Sequence, residues 1–137
     1  MSWTPPEPVQ LDNLLQKVTF DANGLIAAIA QDEQKNVLML AWMNKEALKE
    51  TLMTGRVCYY SRSRKKLWRK GETSGQEQTL LAAALDCDGD ALLMTVHQKG
   101  VACHTGRKSC FYQQITPEGL RPNAEVITDP AILYGGN

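Results

Sequence analysis

The feature that most constrains the fold is an Asp-Gly pair between two apolar segments near the middle of the chain. Asp88 and Gly89 lie between the segments 79–86 and 91–96. Glycine accepts the positive φ of a type I′ turn without steric cost, so the pattern predicts two antiparallel strands joined at this pair. Alanine and leucine in the first segment also favour a helix, but its place directly before a turn favours a strand. We therefore predict a β-hairpin over residues 79–96.

A helix is predicted over residues 45–54 from the residues at its two ends. Asn44 is a preferred N-cap, and Gly55 is a preferred residue immediately after a helix. Leu48 and Leu52 would share one face at i, i+4 spacing. We expect further strands over 37–42, 56–61 and 109–115, and a long polar loop over 62–75. Several strands with one clear helix indicate an α+β fold that is rich in strands and has few helices.

Composition indicates a globular domain with no strong electrostatic preference for a polymer partner. The chain has 137 residues, with 15 Lys and Arg against 15 Asp and Glu. This balance argues against a nucleic-acid or membrane partner. The proline-rich residues 1–10 are predicted to be a flexible segment, and residues 11–137 a single domain. Neither a signal peptide nor a long apolar stretch is evident, so we predict a cytoplasmic protein with reduced cysteines.

Three closely spaced cysteines suggest a metal site. Cys103 and Cys110 flank a glycine-containing segment, and a reversal of the chain there would bring both sulfurs to one ion. Cys87, from the hairpin turn, would supply a third ligand. Thiolates favour zinc, and three protein ligands leave a fourth position for water, as in catalytic zinc sites. The alternative is that these are unligated cysteines packed as small hydrophobic residues.

Two histidines are candidates for proton transfer. His104 adjoins Cys103, which makes it the natural acid or base at a zinc site, although it could equally orient a ligand. His97 lies at the end of a predicted strand, a position more typical of a hydrogen-bonded structural role.

Alternating aspartates suggest a second metal. Asp86, Asp88 and Asp90 crowd around the predicted turn, and their mutual repulsion calls for a cation. Oxygen ligands from short side chains suit Mg²⁺ completed by water or phosphate. The alternative is a solvated acidic turn, which is common for Asp-Gly sequences.

The predicted loop over 62–75 concentrates positive charge around an aromatic residue. Such a loop in a neutral protein suggests an anionic ligand, because arginine forks bind phosphate and an indole face stacks on a base. A solvated basic loop and an RNA-binding loop are the alternatives, but one isolated aromatic residue argues against an extended nucleic-acid face. The candidate substrate-binding residues are Arg62, Arg64, Trp68, Lys70, Gly71 and Ser74.

Taken together, these segments resemble the phosphoribosyl-AMP cyclohydrolase family, which acts in histidine biosynthesis. The resemblance spans roughly residues 37–112. It rests on Ala41-Trp42-Met43-Asn44, on the stretch from Tyr60 to Gly75, on Asp86-Cys87-Asp88-Gly89-Asp90, and on Cys103-His104-Thr105-Gly106-Arg107-Lys108-Ser109-Cys110.

The resemblance implies a chemistry and a set of ligands. It implies zinc on the three cysteines, magnesium on the three aspartates, and hydrolysis of the N1–C6 bond of the adenine ring of phosphoribosyl-AMP. It also implies an intertwined homodimer in which Cys87 joins a zinc site shared between subunits. About 25 residues follow Tyr112, too few for the fused pyrophosphohydrolase domain of some members, so a monofunctional enzyme is implied.

Two other functions remain open from the sequence. One is a zinc-dependent hydrolase or deaminase acting on another purine nucleotide, since it would use the same activated water. The other is a non-catalytic, zinc-stabilised module that binds RNA through the basic loop.

Overall fold

The computed structural model describes residues 3–134, which form a strand-rich α+β domain, as predicted. Within this range there are three helices and eight strands. No helix in this part of the chain is long and apolar enough to cross a membrane. The elements are α1 (Pro8–Lys17), β1 (Ile26–Gln31), β2 (Val37–Met43), α2 (Lys45–Thr54), β3 (Cys58–Ser61), β4 (Lys66–Arg69), β5 (Gln78–Leu85), β6 (Ala91–Gln98), β7 (Gln113–Thr116), β8 (Gly119–Pro122) and α3 (Pro130–Tyr134).

A four-stranded sheet forms the centre of the domain, in the order β2-β1-β6-β5. The central neighbours β1 and β6 are parallel, whereas the two outer pairs are antiparallel. Buried and partly exposed residues alternate along β1, which is the pattern of a sheet with one covered face. The pairs β3–β4 and β7–β8 form two separate antiparallel sheets.

The first two helices contribute to the hydrophobic core on one face of the sheet. Leu11 of α1 and Leu48 of α2 belong to the same buried cluster as Ala28, Leu92 and Met94 of the central strands. Burying each of the larger side chains contributes roughly 1.5–3 kcal/mol to the stability of the fold. This packing stabilises the helices as well as the sheet.

The opposite face of the sheet carries a row of apolar side chains. Leu40, Ile29, Leu93 and Ala84 are successive cross-strand neighbours through all four strands. Leu40 is 44% exposed and Leu93 is 41% exposed. A single chain therefore leaves part of this apolar row open to solvent.

The predicted hairpin is confirmed, but its turn is wider than predicted. Strands β5 and β6 are antiparallel neighbours, and the Gly89 N–H donates to the Asp86 carbonyl at 3.0 Å. Gly89 has a positive φ of 72°, whereas Asp88 does not have a positive φ, so the predicted type I′ turn is wrong. The Asp86 carboxylate accepts the N–H groups of Asp90 and Ala91 at 3.0 and 3.3 Å. These bonds stabilise the longer loop.

Helix α2 confirms the predicted helix at both ends. The Asn44 side chain accepts the Ala47 N–H at 2.8 Å, and Gly55 adopts φ 76° immediately after the last turn. Leu48 and Leu52 are both buried, as their spacing predicted.

Two predicted segments differ from the structure. The loop predicted over 62–75 contains β4, because Leu67 and Trp68 pair with Tyr60 and Tyr59 of β3, and aromatic cross-strand pairs stabilise a short hairpin.

The strand predicted over 109–115 is limited to β7. Ahead of β7, the Cys110 N–H donates to the Leu38 carbonyl at 2.7 Å, and the Ser109 hydroxyl donates to the Val37 carbonyl at 2.8 Å. These contacts attach the segment to β2 without forming a regular ladder.

The N-terminal segment includes residues with defined contacts. The Trp3 indole N–H donates to the Leu52 carbonyl at 2.6 Å, and α1 begins at Pro8. The boundary predicted at residue 10 therefore falls inside this helix. The sequence prediction missed α1 because the prolines dominated the interpretation of this segment, although proline is well suited to the first turn of a helix.

Replacing Gly89 with alanine should destabilise the hairpin turn. Its Cβ would collide with the Lys17 carbonyl, beside the site where the Thr19 N–H donates to the Gly89 carbonyl at 2.7 Å. Overpacking of this kind costs about 1–3 kcal/mol. Gly24→Ala is the matched control, because Gly24 has φ 76° and open space at its Cβ position. Urea denaturation should show the larger loss of unfolding free energy for Gly89→Ala, and equal losses would contradict this packing.

Cys58 should resist alkylation in the folded protein. Cys58 is 0% exposed, and burial raises the pKa of its thiol to about 12. Only about 10⁻⁴ of the thiol is then ionised at pH 8, and the thiolate is the reactive form. Mass mapping after iodoacetamide treatment should find Cys58 unmodified in the native protein and modified after denaturation in guanidinium. Equal modification under both conditions would contradict the buried position.

Candidate metal centre and substrate cavity

A tight turn brings Cys103 and Cys110 together at one end of the sheet. The Cys103 N–H donates to the Arg107 carbonyl at 3.1 Å, and the Gly106 N–H donates to the Cys103 carbonyl at 2.9 Å. The chain therefore reverses between the two cysteines. The Thr105 hydroxyl donates to the Cys103 sulfur at 3.1 Å. Cys110 is an exposed residue, but partial desolvation of its sulfur raises the pKa of the thiol to about 12, and the charge of nearby Cys103 acts in the same direction. Two soft sulfur donors side by side suit zinc.

The C-terminal segment holds this turn in place. The Ile127 and Thr128 N–H groups donate to the Gly106 carbonyl at 2.8 and 3.1 Å, and the Arg107 Nε–H donates to the Ala124 carbonyl at 2.9 Å. A Cβ on Gly106 would collide with the Thr128 carbonyl. Glycine is needed here because two stretches of backbone approach closely.

Lys70 is buried beside the cysteine turn. Its ammonium donates to the carbonyl of Ala102, the residue before Cys103, at 2.7 Å. Burial lowers the pKa of Lys70, while the nearby Cys110 and Cys103 thiolates act in the opposite direction. The ammonium also lies 5.9 Å from the centroid of the Trp68 ring. Lys70 therefore connects the cysteine pair with Trp68, the aromatic residue of β4.

Cys87 lies at the other end of the sheet. It is exposed in the β5–β6 turn, whereas Cys103 follows the far end of β6. The eight residues of β6 separate these two ends by roughly 25 Å. Accordingly, no three His, Cys, Asp or Glu side chains within residues 3–134 are grouped closely enough to hold a metal ion. One chain brings together two of the three predicted zinc ligands.

The three aspartates surround the tip of the β5–β6 hairpin. A hydrogen bond with Asp86 and repulsion by its charge raise the pKa of Asp90. Slight desolvation acts to raise the pKa of Asp86, but hydrogen bonds from Asp90 and neighbouring N–H groups lower it overall. The Asp88 carbonyl accepts the Thr19 hydroxyl at 3.0 Å, which fixes the tip against the chain that follows α1. Exposed oxygen donors of this kind suit Mg²⁺ with water ligands, but within residues 3–134 the three carboxylates are not grouped closely enough to hold an ion by themselves.

An open cavity of about 640 Å³ lies beside β2, with Trp42, Tyr60, Arg62 and Trp68 in its lining. The Arg62 guanidinium lies 4.9 Å from the centroid of the Trp42 ring. The Trp68 ring packs against Tyr59, with 5.0 Å between centroids. Aromatic faces beside a guanidinium can hold a planar base and an anionic group together.

The cations predicted in the basic loop have different roles in the structure. The Arg69 guanidinium makes a two-pronged contact with Glu50, at 2.8 and 2.7 Å, and its hydrogen bond holds the pKa of Glu50 below the usual range. Arg69 thus joins β4 to α2. Arg64 lines a second cavity of about 270 Å³, together with Trp68 and Gly71.

Gly71 and Ser74 shape the segment that follows β4. Gly71 has φ 89°, and a Cβ at this position would lie 2.6 Å from the Glu77 backbone nitrogen. The Ser74 hydroxyl accepts the Gln76 N–H at 3.2 Å. Their predicted contact with substrate stays a prediction.

The two histidines lie in different surroundings. His104 is an exposed residue of the cysteine turn, next to the proposed ligands. His97 Nδ1 lies 2.8 Å from a carboxylate oxygen of Glu33, in agreement with the hydrogen-bonded role predicted for it.

Sequence reasoning missed the roles of Trp42 and Thr105. Trp42 lies within an apolar strand, where an aromatic residue is usually part of the core. Only the packing of β3 beside β2 reveals that its ring faces Arg62. Thr105 offered no signal besides its position two residues after Cys103.

Comparison with known proteins identifies the family. The family model for phosphoribosyl-AMP cyclohydrolase matches residues 39–112. The chain is 61% identical over 135 residues to the phosphoribosyl-AMP cyclohydrolase of Gluconobacter oxydans, covering 98% of this chain and 86% of that protein. It is 57% identical over 127 residues to that of Granulibacter bethesdensis, covering 91% and 99%. It is 58% identical over 122 residues to that of Paramagnetospirillum magneticum, covering 88% and 92%.

The matched stretch includes the aromatic and basic cavity, the aspartate turn and the cysteine turn. The relatives extend the match over nearly the whole chain, including the residues that form the N-terminal helix and the central sheet here. This chain belongs to the phosphoribosyl-AMP cyclohydrolase family.

Proposed function

We propose that this chain is a hydrolase of histidine biosynthesis that opens the adenine ring of phosphoribosyl-AMP at the N1–C6 bond. Its membership of the family supports the substrate. The structural observation that carries the proposal is the position of Lys70, which contacts the residue before Cys103 and lies 5.9 Å from the Trp68 ring centroid. Lys70 also lines the smaller cavity with Arg64 and Trp68, so its contacts link the soft-metal donors to walls that suit a purine nucleotide.

Zinc is the metal that fits the cysteine turn. Cys103 and Cys110 supply two soft donors, and the Thr105 hydroxyl bonded to the Cys103 sulfur would orient that ligand. When bound, zinc would supply the acidity that makes a water molecule nucleophilic at neutral pH.

Residues of the chain would position the substrate and move the protons. Water adds to C6, the N1–C6 bond breaks, and N1 leaves with a proton, so one group must remove a proton and one must deliver it. His104, exposed beside Cys103, would accept the proton from the attacking water and return it to N1. Trp42 and Trp68 would stack on the ring, while Arg62 and Arg64 would bind phosphate.

Magnesium is the metal that fits the aspartate turn. Asp86, Asp88 and Asp90 place hard oxygen donors on one exposed loop, and Mg²⁺ usually keeps several water or phosphate ligands. The cation would relieve the repulsion that raises the pKa of Asp90 and would orient a substrate phosphate.

A homodimer would complete the zinc site. Within one chain, the length of β6, roughly 25 Å, separates Cys87 from the other two cysteines. A partner subunit is therefore the natural source of the third thiolate. The partly exposed apolar row that includes Leu40 and Leu93 supports an interface on the open face of the sheet. Two-fold symmetry would then create two identical shared sites.

Turnover of phosphoribosyl-AMP tests the proposed reaction. Purified protein with Zn²⁺ and Mg²⁺ should change the ultraviolet spectrum of the substrate as the ring opens, without releasing ammonia. Ammonia release, or turnover of other adenine nucleotides only, would favour a deaminase or another hydrolase. Tight RNA binding that weakens steeply with salt, without turnover, would favour a binding module.

Cys103→Ser should abolish both zinc binding and turnover, since a neutral hydroxyl replaces a thiolate ligand. Metal analysis and the ring-opening assay measure the two losses, with Cys58→Ser as a buried cysteine control outside the site. Full activity in a zinc-free Cys103→Ser protein would contradict the role of zinc.

Mixing two inactive variants tests the shared site. Cys87→Ser and Cys103→Ser subunits, unfolded together and refolded, should recover up to about one quarter of wild-type activity, because half of the dimers are mixed and each has one intact site. Complete absence of recovery, in mixtures shown to contain mixed dimers, would place all ligands within one chain.

His104→Ala should retain zinc but lower kcat by roughly 10²- to 10⁴-fold if proton transfer is its role. His97→Ala is the control histidine, since its ring pairs with Glu33 at 2.8 Å. A near wild-type kcat for His104→Ala would remove this residue from the mechanism.

Asp88→Asn should raise the Mg²⁺ concentration needed for half-maximal activity, because it removes one negative charge from the loop while keeping its size. Titration of activity with Mg²⁺ measures the change, and Asp12→Asn on α1 is a control carboxylate. An unchanged requirement would count against a carboxylate site.

A further inference from the structure

Lys70 is a buried cation without a carboxylate partner in the described part of the chain. It is 6% exposed, and the salt bridges within residues 3–134 do not include it. Its ammonium donates one hydrogen bond, to the Ala102 carbonyl at 2.7 Å. Burying an ammonium is costly unless a negative charge compensates it.

The compensating charge available near Lys70 is that of the cysteine pair. Cys110 and Cys103 lie near the ammonium, and as zinc ligands they would be thiolates, whose charge would favour the protonated form of Lys70. The contact with Ala102 places the ammonium one residue from Cys103. The centroid of the Trp68 ring lies 5.9 Å from the ammonium, within the range of a cation–π interaction.

We propose that Lys70 is a positioning residue whose positive charge balances the thiolates of the metal centre. This inference rests on the zinc site of the proposed function. Three thiolates and one Zn²⁺ carry a net charge of −1, and one ammonium brings the local sum to zero. The charge of Lys70 would stabilise the ionised ligands, and its bond to Ala102 would hold the backbone that presents Cys103.

This role differs from the substrate contact that the sequence suggested for Lys70. Arg62 lines the larger cavity, and both Arg64 and Lys70 line the smaller one. Lys70 is nevertheless buried, and its ammonium donates to the Ala102 carbonyl at 2.7 Å, which commits this donor to the backbone beside Cys103. The two roles therefore predict different losses when the charge is removed.

Lys70→Gln separates the charge of the side chain from its hydrogen bond. The glutamine amide can still donate to the Ala102 carbonyl but carries no charge, whereas Lys70→Met loses both. Lys70→Arg keeps the charge. Lys49→Met is the matched control, because Lys49 is an exposed lysine on α2. Zinc affinity is measured by competition with a chromophoric chelator, and kcat and KM are measured with zinc in excess.

Lys70→Gln and Lys70→Met should both weaken zinc binding, by roughly 10- to 100-fold, the range for residues that support metal ligands. Lys49→Met should leave zinc affinity unchanged, and Lys70→Arg, which keeps the charge on a larger group, should bind zinc more tightly than Lys70→Gln. With zinc saturating, KM of Lys70→Gln should stay close to the wild-type value. The proposal is overturned if Lys70→Gln keeps wild-type zinc affinity, or if it raises KM with zinc affinity unchanged, which would indicate substrate binding.

The test of Lys70 can be distinguished both from misfolding of the variants and from failure of the proposed function. If Lys70→Gln and Lys70→Met fail to fold, as judged by circular dichroism, Lys70→Arg decides through KM as well as zinc: a raised KM at unchanged zinc affinity would indicate substrate binding and overturn the proposal, whereas zinc affinity and KM both close to the wild-type values would support a retained balancing charge. Wild-type protein that binds zinc but does not turn over phosphoribosyl-AMP would refute the proposed function while leaving the role of Lys70 supported by the affinities.

Discussion

The extended strand β6, held in the sheet between β1 and β5, is the constraint on which the rest of the structure depends. Because β6 runs from the aspartate turn towards the cysteine turn, it places the two groups of proposed metal ligands at opposite ends of the strand. The proposed hard-metal and soft-metal ligands are thereby kept apart within one chain. The proposed zinc site, which needs a thiolate from each end, then requires a second subunit, since a strand cannot shorten by twenty ångströms or more.

The same sheet explains how a small domain can serve both packing and assembly. One face packs against Leu11, Leu48 and the rest of the helical cluster. The other face leaves Leu40 and Leu93 more than 40% exposed. An apolar row of this kind is unusual on a monomer surface and typical of an interface. Two independent observations support the same proposed dimer. The exposed apolar row would be buried in an interface, and a second subunit would supply the third thiolate.

Positive charge is distributed over three functions rather than concentrated on one surface. Arg69 joins β4 to α2 through Glu50, Lys70 is buried beside the cysteine pair, and Arg62 lies over Trp42 at a cavity. The cluster of cations in the sequence therefore does not form a continuous basic face for a polymer. This distribution favours a small anionic ligand held by a few cations and aromatic rings.

The sequence by itself determined the local features of this protein. Asn44 and Gly55 defined α2 because caps act within one turn of a helix. The Asp-Gly pair indicated the β5–β6 hairpin, and the cysteine spacing allowed both sulfurs to reach one ion if the chain reverses between them. The resemblance of the motifs indicated the family. Each of these depends on residues close together in the chain, whose conformational preferences are readable directly.

The tertiary structure decided what depends on residues far apart in sequence. Only the strand order shows that Cys87 is remote from the other two cysteines, and only the packing of β3 beside β2 places Trp42 against Arg62. The turn at Asp88 is wider than a two-residue type I′ turn. The Asp86 carboxylate, which accepts the Asp90 N–H, and the bond from Thr19 to the Asp88 carbonyl stabilise the longer loop more than the Asp-Gly pair favours the tight turn. Likewise, Lys70 is indistinguishable from its exposed neighbours by sequence, because burial results from long-range packing.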